Sequence, residues 1–189
     1  MKSGARALGV AESFARRDDG STLCGAVVRA DRTADGFAFG TCTIGGTDAT
    51  DAIASLYTTA DRADVQYLLL AGIAPAWYNV VDLHGLHAAV DRPVLSVSFE
   101  TSPGLEPALR EQFSGSALQE RLQRYRAQPP RHELDVGGET VYVRGVGTDP
   151  EHAAEVVRGF TVDGGRPEPL RVARLAARAA RTFRTDGEA

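Results

Sequence analysis

Two carboxylates stand where apolar runs break. Glu12 closes the run RALGVAES at 6–13, and Asp48 follows the Gly45-Gly46 break in GGTDAT. Carboxylates brought together from neighbouring strands can hold a divalent cation, which activates water and neutralises a phosphate. On that reading Glu12 is the leading metal ligand, and Glu12 with Asp48 is the catalytic candidate pair. The plainer readings are an exposed strand-end charge for Glu12 and a helix cap for Thr47 or Asp48. Trp77, Tyr78 and Asn79 come just after a strand-like run, where α/β sheets tend to place ligands. Aromatic rings there can stack on an unpaired base or anchor the loop, and Asn79 also suits a turn. Asp82, His84 and His87 form a D-x-H-x-x-H string without a third oriented ligand, which reads as solvated helix surface. Arg171, Arg174, Arg178 and Arg181 recur at helical spacing and form one stripe. Such a stripe can track phosphates or simply be a solvated face. Glu168 beside Arg171 points to an ion pair or a site-edge clamp, with Arg171 partly buried.

The elements that must carry these groups follow from hydropathy. Residues 6–13, 22–30 and 36–44 read as three strands with short connections, which favours antiparallel hairpins. A helix follows, with Ala49, Ala52, Ile53 and Leu56 on its apolar face. Residues 65–70 (VQYLLL) suit a strand buried on both faces. A loop and a helix near 81–90 lead to the strand PVLSVSF. Residues 105–127 look helical, with a break near 114–116. A hairpin turning at Gly137-Gly138 comes next, then a helix capped by Thr148 or Asp149, then a last helix from Pro167 to about Arg184 and a frayed tail at 185–189. Three antiparallel strands followed by parallel βαβ units, flanked by helices, describe the ribonuclease H-like α/β architecture. The pattern predicts one domain over 1–189.

Composition narrows the classes. The net charge of −4 and pI near 5.6 are not the global footprint of a nucleic-acid binder, so any such binding needs a local basic patch. Lys2 is the only lysine, and every other basic residue is arginine. Cys24 and Cys42 lie in apolar strand-like segments, which favours buried thiols over a disulfide. The lack of an apolar leader or a long apolar stretch predicts a cytoplasmic protein with no membrane contact.

Several stretches together resemble one family. They are ALGVAES at 7–13, GGTDAT at 45–50, AGI at 71–73, YNVVDL at 78–83 and RPEPLRVARLAA at 166–177. They look like the archaeal endonuclease V-like family, also called endonuclease dU and long held to be of unknown function. The resemblance implies a ribonuclease H-like fold and Mg2+- or Mn2+-dependent cutting of DNA or RNA near a deaminated base. In the family's usual pattern the first strand ends in an acidic pair, and the strand before AGI ends in an aspartate. Here those positions align with Ala11-Glu12 and with Ala71, and basic residues that often follow the next strand are replaced by Phe99 and Glu100.

Three function readings follow. One is an endonuclease acting through Glu12 and Asp48. The second is a nucleic-acid-binding protein that kept the fold and lost the key carboxylates, contacting its ligand through Tyr78, Asn79, Arg171, Arg174 and Arg178. The third is a regulatory partner protein.

Overall fold

The first strand decides how both faces of the sheet are built. β1 (Arg6–Ser13) turns Leu8 and Val10 to one side and the small residues Ala7, Gly9 and Ala11 to the other. The computed structural model describes residues 2–186, apart from the Asp186 side chain. β2 (Ser21–Arg29) and β3 (Ala34–Cys42) follow β1 as successive antiparallel neighbours. α1 (Ala49–Ala60) crosses to β4 (Tyr67–Ala71), which lies parallel to β1 on its other side. A single turn, α2 (Pro75–Tyr78), and α3 (Leu83–Val90) lead to β5 (Val94–Ser98), parallel to β4. α4 (Glu106–Gln112) and α5 (Gly115–Arg126) precede the hairpin of β6 (His132–Val136) and β7 (Glu139–Val146). β7 pairs antiparallel with β5. α6 (Pro150–Phe160) and α7 (Glu168–Asp186) complete the order.

The resulting seven-stranded sheet runs β3-β2-β1-β4-β5-β7-β6. This is the mixed sheet expected from the strand order, with β1 central and β4 parallel beside it. The Gly137-Gly138 turn has positive φ at both residues, as the hairpin required. Asp149 caps α6 by accepting from the His152 backbone N–H at 2.8 Å.

Several boundaries move for local reasons. β3 ends at Cys42 instead of residue 44 because the Thr43 N–H turns to the Asp48 carboxylate. Val65 is buried but precedes β4, since its N–H closes a turn onto the Arg62 carbonyl oxygen. α3 starts at Leu83 because Asp82 caps it, accepting from the His84 and Gly85 N–H groups. Thr185 and Asp186 are helical where a frayed tail was expected, and residues 187–189 lie outside the described residues.

The two faces pack differently. α1 and α3 cover the Leu8 face with Ile53, Leu56, Leu83 and Leu86. On the other face α6 covers β5 and β7 with Val156, Val157 and Phe160. α7 lies along β1 and β2 and buries Leu170, Ala173 and Ala177 completely. Small residues on both sides of this contact let the backbones approach. At Gly9 an added Cβ would stand 2.3 Å from the Pro169 carbonyl carbon and 2.4 Å from its oxygen. Those atoms are backbone and cannot swing away. Gly9→Ala should therefore destabilise the fold by about 1–3 kcal/mol or more, the usual scale of overpacking. Urea denaturation measures this, and wild-type stability would mean that the start of α7 has slack.

Candidate functional site

The carboxyl ends of β1, β4 and β5 lie together at one edge of the sheet. The pairing of Val10 with Leu70 brings Ala11 and Ala71 to the same end of adjacent strands. Both border a small cavity of about 20 Å³ with Glu12, Ile53, Pro75 and Val81, room for about one water. Ala71 is exposed, whereas Ala11 is buried with Ala26, Val28 and Ala173 beneath α7.

Glu12 and Asp48 both approach this edge. The Ser21 hydroxyl donates to Glu12 Oε2 at 2.5 Å. Asp48 accepts from the Thr43 N–H at 3.1 Å, the Thr43 hydroxyl at 2.8 Å and the Asn79 amide at 2.6 Å. Burial works to raise the Asp48 pKa, but the hydrogen bonds from Asn79 and Thr43 outweigh it and hold the carboxyl below its usual range. Cys42 lies within electrostatic reach of both acids. Burial, aided by the charges of Asp48 and Glu12, pushes its thiol up to about 12.

The expected helix cap is corrected. Asp48 occupies the N-cap position of α1, but its side chain makes no cap bond and turns back to Thr43. Asn79 supplies the missing acceptor, its Oδ1 receiving the Ala49 N–H at 3.0 Å. Its amide nitrogen donates to the Thr43 carbonyl oxygen at 2.9 Å as well as to Asp48. Asn79 is fully buried. Both donors of its amide are spent inside the protein.

The neighbouring turn is strained. Ala76, Trp77 and Tyr78 all have positive φ, at 49°, 57° and 64°. A left-handed turn of L-residues costs about 1–2 kcal/mol per residue, so other contacts must hold it. The Gly45 N–H donates to the Ala76 carbonyl oxygen at 2.7 Å. Arg121 of α5, only 5% exposed, donates to the Tyr78 carbonyl oxygen at 3.3 Å, the Gly46 carbonyl oxygen at 2.9 Å and the Gly45 carbonyl oxygen. Its guanidinium also lies 4.0 Å over the Phe113 ring. Arg124 ties Thr47 and Val80 to the same helix. Tyr78 packs edge-on against Phe113 and is half-buried, while Trp77 is the exposed aromatic of this turn. Residues 105–127 showed only a helical pattern, and nothing in that pattern marks Arg121 as buried.

The remaining candidates separate. Glu168 pairs with Arg171 at 2.5 and 2.8 Å, as the motif suggested. The burial is reversed, however: Glu168 is the sheltered partner and the Arg171 side chain is 52% exposed. Arg181 is anchored on Asp18. Arg174 and Arg178 are exposed, and their side chains make no ion pair or hydrogen bond among the described residues. Asp82 and His87 do not converge: Asp82 caps α3, and His87 Nδ1 lies 2.8 Å from the Arg92 carbonyl oxygen. Phe99 is covered by the Arg166 guanidinium at 3.9 Å.

A divalent cation of the kind the resemblance implies needs several converging oxygens. Here Glu12 is engaged by Ser21, Asp48 is engaged by Thr43 and Asn79, and the alanines at 11 and 71 offer no donor. Among the described residues no three His, Cys, Asp or Glu side chains form a metal-holding group. These residues do not fit Mg2+ or Mn2+ held by carboxylates of neighbouring strands.

A family profile described as Endonuclease dU matches residues 3–181. A UPF0215 protein of Pyrobaculum aerophilum is 35% identical over 178 residues, spanning 93% of this chain and 94% of its own. The crystal structure of a protein of unknown function from Archaeoglobus fulgidus superposes with a TM-score of 0.81 at 25% identity, covering 93% of this chain and 98% of that one. Endonuclease V of Ciona intestinalis, in complex with a 24mer DNA containing an inosine followed by a ribo-adenosine, superposes with a TM-score of 0.61 at 13% identity, covering 95% and 86%. That last likeness is one of fold, and the fold is ribonuclease H-like.

Two outcomes test the network. Asp48 has a folded pKa below its ordinary 3.8, so its contribution is complete above that value and lost as pH falls through the folded one. Asp48→Asn should be less stable than wild type by about 1–3 kcal/mol at neutral pH, with the gap closing in acid. Thermal melts across pH measure this, and a gap independent of pH would show that the charge is not what matters. Arg121→Met should cost about 2–4 kcal/mol by leaving buried carbonyls without donors. It should also shift the emission of Trp77, the single tryptophan. Unchanged emission would mean that the left-handed turn holds itself.

Proposed function

Because the chain belongs to the endonuclease dU family, we propose that it binds nucleic acid and does not cut it by the family's metal-assisted route. The observation that carries this reading is the pair of alanines at the ends of β1 and β4. Methyl groups neither ligate a cation nor accept a proton from water. Ala11 is also packed under α7, where a carboxylate would be desolvated.

Binding would rest on other groups. Arg174 and Arg178 project from α7 without protein partners among the described residues, which leaves their donors open to phosphates. Trp77 is 45% exposed, and a base could stack on its ring. The likeness to endonuclease V, solved with DNA, makes nucleic acid the proposed partner class.

The test pairs cleavage with binding. Purified protein, given DNA and RNA carrying deaminated bases with Mg2+ or Mn2+, should shift them in a gel and leave them intact. Robust Mg2+-dependent nicking that disappears in Glu12→Ala would overturn the proposal. In Arg174→Ala/Arg178→Ala, the salt slope of binding should fall by about one unit for each phosphate that is no longer neutralised. An unchanged slope would make the stripe a solvated face. A protein partner would then be favoured, with the exposed, stacked Phe37 and Phe39 on edge strand β3 as the first surface to probe.

A further inference from the structure

Beyond Ala71 and Gly72, away from Glu12, lies a second cleft of about 240 Å³. Its floor is the β5–β7 ladder. Ser96 sits opposite Arg144 and Ser98 opposite Tyr142, so two hydroxyls, a phenol and a guanidinium share one face. Arg131, just before β6, folds over this floor with its guanidinium 3.8 Å above the Tyr142 ring. It donates to the Glu100 carbonyl oxygen at 2.6 Å, the Ser102 carbonyl oxygen at 3.2 Å and Ser98 Oγ at 3.4 Å. Arg144 donates to the Pro129 carbonyl oxygen and lies 5.7 Å from the Tyr125 ring, which lines the cleft from α5.

Two features of this cleft leave donors open to a ligand. Among the described residues, neither Arg131 nor Arg144 forms an ion pair. Burial lowers the Arg144 pKa, Tyr125 works against that shift, and the nearby Arg131 charge adds to it. The cleft's one carboxylate, Glu100, is exposed and bonds to neither guanidinium through its side chain. Separately, Ser96 is only 4% exposed, lines the cleft, and its hydroxyl makes no hydrogen bond among the described residues. A hydroxyl without a protein partner and two guanidiniums without carboxylates, all lining one open cleft, form a set of donors suited to an oxyanion.

We propose that this cleft binds a phosphate monoester or free phosphate, held by Arg144 and Arg131 and by the hydroxyls of Ser96 and Ser98. A tetrahedral oxyanion with charge near −2 neutralises both guanidiniums and accepts from both hydroxyls. An internal phosphodiester carries a single charge and two esterified oxygens, and matches this donor set less well. The volume admits the phosphoryl group and part of whatever it is attached to. The cleft adjoins the Glu12 edge and shares Ala71 and Gly72 with the small cavity there, but Glu12 does not line it, and the inference does not depend on the nucleic-acid reading.

Calorimetry and thermal melts on the full chain test it with three probes: inorganic phosphate, a short 5′-phosphorylated oligonucleotide and its 5′-hydroxyl counterpart. A phosphate-dependent, saturable response is expected, with the 5′-hydroxyl probe weaker by about tenfold or more. Response to inorganic phosphate alone assigns the cleft to a free phosphate compound, and response to the 5′-phosphorylated strand assigns it to a strand end. Either supports the proposal. Arg144→Gln and Ser96→Ala should each weaken binding by about tenfold. Ser96→Ala removes a hydroxyl that makes no hydrogen bond among the described residues, so the ligand-free variant should melt close to wild type, which separates loss of binding from loss of fold. No phosphate-dependent response from any probe, or wild-type affinity in Arg144→Gln and Ser96→Ala, overturns the proposal.

Discussion

A buried guanidinium with only carbonyl oxygens and a ring for company sets the geometry of the carboxyl edge. Arg121 reaches from α5 to the Gly45-Gly46 turn and to the Tyr78 carbonyl, two loops that are far apart in the chain. A buried cation without a carboxylate is expensive unless its donors are satisfied. That cost makes the arrangement specific: the guanidinium is satisfied only when both loops present their carbonyls at once. The left-handed turn at Ala76–Tyr78 persists because this clamp, the Gly45 N–H and the Phe113 cluster over-determine it.

The Asp48, Asn79 and Thr43 network does the same work one layer closer to β1. In a site built around a metal ion, the cation draws acidic loops together and offsets their repulsion. Here amide and hydroxyl donors meet the Asp48 charge. The shape of the edge therefore does not require a cation, which is consistent with alanine standing at 11 and 71. Hydrogen bonds within the protein are what order the groups at this end of the sheet.

Much of the fold could be read from the chain. Alternation in 36–44, the apolar run VQYLLL and the Gly137-Gly138 pair gave the strand types, and the order of elements gave β1 and β4 as parallel neighbours. The Glu168–Arg171 pair was legible from its spacing. Three decisive features were not. Asn79 caps a helix that begins thirty residues earlier, and no local pattern encodes such a long-range acceptor. Positive φ at Ala76, Trp77 and Tyr78 contradicts their intrinsic preference, so propensity points the wrong way. Arg121 and Arg144 look like any surface arginine until the tertiary fold closes around them. Periodicity reports which face of an element is apolar, and it is silent on a cation buried by loops.

The contact between Gly9 and Pro169 has a consequence for how the protein is made. β1 leaves the ribosome early, yet the helix that covers its alanine-lined face is synthesised long after the strands it lies on. Until then Ala11, Ala26 and Val28 lack the helix that covers them, while α1 and α3 close the leucine-rich side and α6 the β5–β7 part of the other face. Chain synthesis takes seconds, whereas local hairpins form in microseconds, so β1, β2 and β3 have time to pair long before α7 arrives. Small side chains suit that interval. An alanine-lined surface presents little apolar area to other chains in a crowded cell, where valines and leucines would invite association. The residues that permit close helix docking in the finished molecule are thus also those that make its unfinished form least adhesive.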